Sequence, residues 1–427
     1  MASSSSSHIV VVGGGITGVT SAYALARAGH RVTLLERNRY PAMDTSFANG
    51  GQLSASNAEV WTHPSTLLKG LKWMLKPDAP LLVNPKPSWH KLSWFAEFIA
   101  SIPRYRDNTV ATARLAVQAR EHLFSWAEAE GVDFDLKKRG ILHIYRNKSG
   151  FDHAAKVSQL LAQGGLPRHA VTPDEMRAIE PTLAGDYYGG FYTESDSTGD
   201  IHKFTVGLAR ACERLGVNLR TGCVVDNVNS DGQRARVTLQ GGEVVEGDAL
   251  VVCAGVHSRR LAAQLGDRLN VYPVKGYSIT VNLSDEQSQL AAPNVSLLDD
   301  ETKLVTSRLG ADRFRVAGTA EFNGFNLDIR SDRIRPLVDW VNQCFPCVST
   351  RQVVPWAGLR PMMPDMMPRV GAGRRANVFY NTGHGHLGWT LSAVTAHLLI
   401  GHVDAWRDAR GDARIVMPSG VPAQQAA

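Results

Sequence analysis

Cysteine is scarce: five in 427 residues, an odd number and too few for a disulfide scaffold. The pair Cys344-Phe-Pro-Cys347 has redox-motif spacing, but no thioredoxin-like βαβ pattern surrounds it and no second pair stands near. Both therefore read as structural thiols, and no metal site is expected. A Cys-rich iron–sulfur signature and a c-type haem motif are also missing, which places any electron relay outside this chain. No apolar run is long enough to span a bilayer. The opening MASSSSSH has neither the basic nor the apolar region of a secretory signal, so a cytoplasmic location is expected. The net charge is +6, but basic and acidic residues are interleaved rather than clustered, so nucleic acid is not an expected partner. The length suits two domains, and 44% hydrophobic residues is ordinary for a globular chain.

What the chain does have is one glycine spacing used twice. Gly13-x-Gly15-x-x-Gly18 follows the apolar run HIVVV and opens a helical pattern, and a second strand ends at Glu36. A nucleotide-binding βαβ unit needs this order: a tight turn, close backbone approach to a diphosphate, close helix–strand packing and a carboxylate for a ribose hydroxyl. Gly13, Gly15, Ile16, Thr17 and Gly18 are thus the candidate diphosphate end, with Glu36 and its neighbour Arg37 at the ribose. A carboxylate accepts from a free 2′-hydroxyl and repels a 2′-phosphate, which favours NAD or FAD over NADP without separating the two.

After Glu36 comes a polar, glycine-rich loop, DTSFANGGQLSASNA, and then a tryptophan-rich stretch interrupted by proline. A βαβ-like pattern returns at HKFTVGLARACERLGVNLRTG, and the strand ALVV ends in Ala254-Gly255, a small-residue turn suited to close approach by a cofactor. The expected fold class is α/β: a discontinuous Rossmann-like nucleotide domain, with a largely antiparallel α+β substrate domain inserted in pieces. The expected nucleotide-domain segments are 1–60, 195–265 and 353–427, the last including the C-terminal tail; the substrate-domain segments are 61–194 and 266–352.

The second motif, Gly383-x-Gly385-x-x-Gly388, again reads strand, turn, helix, but no second strand with a terminal acid follows it. A second complete dinucleotide unit therefore lacks its other half. A helix N-terminus at Gly388–Thr390 suits the N1–C2=O edge of an isoalloxazine ring, which gains negative charge on reduction. One FAD spanning both motifs is the economical reading, with Gly383, Gly385, His386, Leu387, Gly388, Trp389 and Thr390 at the flavin end.

The runs GGGITGVTSAYALARAGHRVTLLER, DTSFANGGQ, VYPVKGYSIT, WAGLRPMMPDMMPRVG and NTGHGHLGWT together closely resemble the small FAD-containing subunit of bacterial D-amino acid dehydrogenases. These belong to the wider class of D-amino acid oxidase, glycine oxidase and sarcosine oxidase-like flavoenzymes. The likeness covers roughly residues 8 to 407. It implies non-covalent FAD and oxidative deamination of D-amino acids to 2-oxo acids and ammonia, by hydride transfer from Cα to flavin N5. It also implies electron delivery to a quinone or other respiratory-chain acceptor rather than chiefly to oxygen.

The resemblance places Thr45, Ser46, Asn49, Gly50, Gly51 and Gln52 along the flavin and ribityl chain, and Val225, Ala254 and Gly255 at the adenine side. Arg360 in GLRP matches the arginine that holds the substrate carboxylate through two parallel charge-assisted bonds. Tyr277, Arg308 and His384 are further pocket candidates, and Lys275 is expected to support a loop. His386 stands where the family more often has threonine, which leaves its role open. The segment from Leu67 to Ile102, with Trp73, Trp89 and Trp94, either packs between domains or makes a peripheral contact at the inner face of the cytoplasmic membrane or with a quinone-bearing partner. Two alternatives stand beside this reading: an FAD enzyme for secondary amines such as D-proline or hydroxyproline, and a non-catalytic FAD-binding subunit.

Overall fold

The strand His8–Val12 is apolar along nearly its whole length because it is covered on both faces, as central strands of parallel sheets are. The computed structural model, which describes residues 6–66 and 80–415, sets it inside a six-stranded sheet. The order is Arg369–Ala372, Val378–Thr382, Ala249–Val252, His8–Val12, Arg31–Leu35 and Asn218–Arg220. Only the first of these pairs is antiparallel. Helices Ile16–Arg27, Ile201–Arg214 and Gly388–Ile415 contribute Val19, Leu208 and Leu399 to a core built on Ile9, Val11 and Val251. On the other side, Val10, Val12 and Leu250 pack against a small antiparallel sheet of Val225–Ser230, Ala235–Leu239 and Val244–Gly247.

The second sheet is mixed and nine-stranded among the described residues. Its spine is Tyr272–Asn282, antiparallel to Val353–Met362 on one side and to Arg313–Phe322 on the other. Helix Ser331–Cys344 places Leu337, Trp340, Val341 and Cys344 at helical spacing against Ile279, Val281, Phe314 and Val316. Cys344 is thereby buried, while Cys347 is exposed, and neither forms a disulfide.

Two expectations about domain limits change. Strand Val353–Met362 pairs along its length with Tyr272–Asn282, so the limit set at 353 moves beyond Met362 and Arg360 sits on the substrate sheet. Helix Tyr105–Glu130, assigned to the substrate domain, instead lies partly on the nucleotide domain. Its small residues Ala113 and Ala116 allow close approach to Leu387 and Leu391, and Leu123 and Ala127 join the nucleotide-domain core. Of the tryptophan-rich stretch, residues 67–79, Trp73 among them, lie outside the described residues. Helix Trp89–Ala100 buries Trp94 and Phe98 against Tyr272, Phe322 and Met362, and leaves Trp89, Leu92 and Ile99 exposed.

Candidate active site

Strands His8–Val12, Ala249–Val252 and Val378–Thr382 run parallel and adjacent, so the turns at Gly13, Ala254 and Gly383 open on one edge of the sheet. Ligands of open α/β sheets bind beyond this carboxyl edge. A single cavity of about 780 Å³ begins there and extends to the substrate sheet, within the roughly 300–1,000 Å³ range of small-molecule sites. Of the candidate cofactor-binding and catalytic residues, all but Gly18 and Arg308 line it, and Lys275 does not.

At the diphosphate end each glycine answers a different steric demand. Gly13 has φ +108°, and a Cβ there would lie 2.6 Å from the Cys253 carbonyl oxygen. A Cβ at Gly18 would overlap the Gly13 carbonyl oxygen, so this residue serves packing behind the turn. Gly15 faces open space, its nearest neighbour for a Cβ being Ser46 Oγ at 3.5 Å. The Ile16 N–H at the helix start donates to Ser46 Oγ (3.0 Å), and Thr17 also lines the cavity. Glu36 is buried and accepts from the N–H groups of Gly14 (2.6 Å) and Asn38 (2.7 Å), and burial raises its carboxyl above the usual range. Its remaining lone pairs can still take a hydroxyl. Gly14, which the motif spacing does not mark, is a further site residue: a Cβ there would lie 2.7 Å from Glu36 Oε2. Arg37 pairs with Asp44 at the exposed rim (2.8 Å), and Val225, Ala254 and Gly255 line this same end.

The loop after Glu36 is tied to both sheets. Thr45 Oγ1 donates to the Leu359 carbonyl (2.8 Å), and Asn49 Oδ1 accepts from Gly51 N–H (2.9 Å). Cβ atoms at Gly50 and Gly51 would meet Val305 at 2.5 Å and Ser307 at 2.9 Å, so the loop packs too closely on the substrate sheet for larger residues. Gln52 Nε2 donates to Ser296 Oγ (2.7 Å) and the Leu297 carbonyl (3.0 Å), leaving Oε1 buried without a partner.

In the second glycine motif, Gly383 and Gly385 take positive φ, and Leu387, Gly388, Trp389 and Thr390 carry the chain into the last helix. Thr390 Oγ1 accepts from Ser54 N–H (3.3 Å). His384 Nε2 lies 3.0 Å from Thr395 Oγ1, and burial pulls the ring down to about 3. His386 stacks on Trp61 at 5.2 Å and 20°, its Nε2 lies 3.1 Å from the Asn57 carbonyl, and burial lowers it to about 4. Both rings are therefore neutral near pH 7. Nδ1 of each is buried without a partner, as is Trp389 Nε1.

At the substrate sheet, Arg360 Nη1 donates to the Thr319 carbonyl (2.8 Å) and Nη2 to that of Gly318 (3.4 Å). No ion pair with a carboxylate forms at Arg360 among the described residues, and burial lowers the guanidinium only to about 10, so it stays charged. Thr319 is a site residue that the sequence did not betray. It has φ +57°, a strained conformation for a β-branched residue, at a register shift between the two long strands, inside a run that reads as ordinary strand.

Two side chains depart from their expected places. Tyr277 is among the residues lining the cavity, but its ring lies beside Lys275 Nζ and the Arg333 guanidinium, and its hydroxyl donates to Glu321 Oε2 (2.9 Å), because that buried carboxylate, 3.4 Å from Lys275 Nζ, needs donors. Lys275 Nζ also donates to Asn326 Oδ1 (2.7 Å), so it supports the 326–328 loop. Arg308 lies outside the cavity: its guanidinium donates to the carbonyls of Gln289, Ala292 and Ala311, fastening helix Glu286–Ala291 to the sheet.

The residues present fit FAD. A backbone cradle opens at Gly15, two helix N-termini face one cavity, and polar atoms of Gln52, Thr319, His384 and Trp389 are buried beside it without protein partners.

The family model described as FAD dependent oxidoreductase, DAO, matches residues 8–401. A protein named D-amino acid dehydrogenase 3 from Mesorhizobium japonicum is 61% identical over 393 residues, covering 92% of this chain and 95% of its own. A D-amino acid dehydrogenase from Dechloromonas aromatica is 42% identical over 400 residues, covering 91% and 95%. Among solved structures, glycine oxidase from Geobacillus kaustophilus shares the fold with TM-score 0.72 at 22% identity, over 94% of this chain and 95% of that one. With the glycine cradle and the cavity already in place, the conclusion is that the chain belongs to the DAO family of FAD-dependent oxidoreductases.

Proposed function

We propose that this protein is an FAD-dependent D-amino acid dehydrogenase that converts D-amino acids to 2-oxo acids and ammonia. The observation that carries this reading is Arg360, a buried guanidinium on the cavity wall with backbone carbonyls on one side and no protein carboxylate in an ion pair among the described residues. A buried cation without a counter-charge is costly unless a ligand anion completes it, and the α-carboxylate of an amino acid is a planar match. The names of the relatives at 61% and 42% identity support the D-amino acid as substrate.

Bound non-covalently, FAD supplies the acceptor for two electrons and the Cα hydrogen, taken as hydride. The chain's own residues hold and orient the substrate. Arg360 grips the carboxylate, and the carbonyls of Thr319 and Gly318 fix the plane of its guanidinium. The amine reacts in its neutral form, so that the nitrogen lone pair drives departure of the hydride. Water then hydrolyses the resulting α-iminium acid to the 2-oxo acid and ammonium. No strong base is required, and positioning carries most of the rate.

The same reading sends the electrons to a quinone or other respiratory-chain acceptor. A peripheral contact with the inner face of the cytoplasmic membrane is supported by the exposed face of Trp89, Leu92 and Ile99. No helix among the described residues is long and apolar enough to cross a membrane. The decisive experiment is anaerobic bleaching of the flavin by paired D- and L-amino acids. Bleaching by the L forms alone would overturn the assignment, and peroxide formation faster than dye reduction would make the enzyme an oxidase.

A further inference from the structure

We propose that Glu59 and the Asp300–Lys303 pair form the side-chain end of the substrate pocket, and that Glu59 selects D-amino acids whose side chain ends in a cation, an ammonium or a guanidinium. The inference rests on the amino acid reading above. All three residues line the cavity, and the side chains of Glu59 and Lys303 stay 30% and 44% exposed, so a ligand inside it can reach them. Their place follows from the substrate sheet. Lys303 precedes Leu304, which pairs with Gly318, and a Cβ at Gly318 would lie 2.5 Å from the Lys303 carbonyl oxygen. Gly318 and Thr319 are the residues whose carbonyls hold the Arg360 guanidinium. Lys303 thus stands one strand spacing, about 5 Å, beyond those carbonyls. It also has φ +57°, as Thr319 does, so two non-glycine residues in the left-handed region lie on neighbouring segments at one end of the cavity. Met362, which shares a strand face with Arg360, joins one hydrophobic cluster with Val60, the chain neighbour of Glu59. The charges of Arg360, Lys303 and Glu59 accordingly all bear on the His386 ring.

The sign of the selected charge follows from the pairing. Asp300 is offset by Lys303. Glu59 has no lysine or arginine partner among the described residues: it accepts from the Tyr105 hydroxyl (2.6 Å) and lies 3.5 Å from His153 Nε2. Burial would raise its carboxyl, but the bonds from His153 and Tyr105 outweigh burial and hold it below the usual range, so it is ionised near pH 7. A carboxylate with two such partners keeps lone pairs for a charge-assisted bond. An amino acid gripped at Arg360 by its α-carboxylate can reach this wall with the four-carbon stem of a lysine-type side chain. A terminal cation there meets an opposite charge at Glu59, whereas a terminal carboxylate meets a like one.

The test compares D-lysine with D-norleucine, which shares its four side-chain carbons and lacks the ammonium. Dye reduction by the holoenzyme gives kcat/KM for each, and flavin absorbance gives cofactor content. The wild type is expected to favour D-lysine about tenfold, the scale of one charge-assisted bond. Glu59→Gln should bring the ratio near one, and Lys303→Met, which removes the cation beside Asp300, should raise it. A purely structural Glu59 would slow both substrates alike, and a ratio that neither variant moves overturns the proposal. Faster turnover of D-2-aminoadipate than of D-lysine also overturns it, because the wall would then anchor an acidic side chain through Lys303. Should Glu59→Gln lose flavin, the wild-type ratio and Lys303→Met decide. Wild-type flavin that no D-amino acid bleaches overturns the functional reading and the subsite together. Bleaching by D-norleucine with a lysine-to-norleucine ratio at or below one overturns the subsite alone.

Discussion

The guanidinium of Arg360 occupies the space a side chain at Gly276 would fill: a Cβ there would lie 2.5 Å from Cζ and Nη2, and closer still to Nη1. The two stand on adjacent strands, where Arg360 pairs with Val274 and Gly276 with Gly358. The missing side chain lets the arginine fold across Tyr272–Asn282 and reach the carbonyls of Gly318 and Thr319 on the third strand. Gly276→Ala should therefore displace the guanidinium, leave FAD bound and raise KM for amino acids about tenfold. Dye-coupled kinetics beside flavin absorbance after gel filtration check this, and an unchanged KM would show that the pocket tolerates the methyl group.

Removing the charge itself goes further. Arg360→Ala is expected to lower kcat/KM by about 10²–10³, the scale of one or two lost charge-assisted bonds, mainly through KM. Arg360→Lys should recover only part of this, because an ammonium cannot engage both carboxylate oxygens in one plane. The flavin spectrum should be intact in both variants; loss of flavin with normal residual kinetics would sink the assignment.

The glycines of the first motif separate stability from binding. A Cβ at Gly18 would overlap the Gly13 carbonyl, whereas one at Gly15 has free space up to Ser46 Oγ at 3.5 Å. Gly18→Ala should depress the melting temperature of the apoprotein and abolish FAD binding. Gly15→Ala should melt like the wild type without cofactor and still bind FAD far more weakly. Calorimetry of the apo forms and FAD titration distinguish the two, and equal melting temperatures for both variants would refute the packing role of Gly18.

Acid should destabilise the protein through its buried imidazoles. His384 is held neutral with its pKa pulled by burial from 6.5 to about 3. Its folded value lies below its unfolded one, so the stability it contributes is fully present above pH 6.5 and is lost as pH falls from there toward about 3. Melting temperatures measured from pH 7 to pH 4 should fall, and His384→Asn should flatten the slope. A variant with the same slope as the wild type would exclude His384 as a source of the acid response.

The features legible along the chain are those whose physics is local. Gly13 and Gly18 show themselves because the turn between a buried strand and a helix tolerates no Cβ there, and Glu36 because it directly follows the next strand, Arg31–Leu35. The absent strand and acid after Gly388 reduced two similar motifs to one cofactor, and both motifs do open on one cavity. Arg360 was legible only through resemblance, since its spacing carries no signal of its own.

Tertiary structure decided which side chains meet. Tyr277 and Arg308 were plausible site residues by type and position, yet a buried Glu321 claims the hydroxyl of one and loop carbonyls claim the guanidinium of the other. Thr319 enters the site from a run that reads as ordinary strand, and Asn57 and Trp61 come from segments whose composition does not single them out individually, because a register shift or a stacked ring exists only once distant segments are paired. The sequence alone thus determined the backbone geometry of the nucleotide cradle, which depends on steric limits within a few residues. The substrate pocket depends on which donors and acceptors folding leaves unsatisfied, and that is settled only when every competing partner is in place.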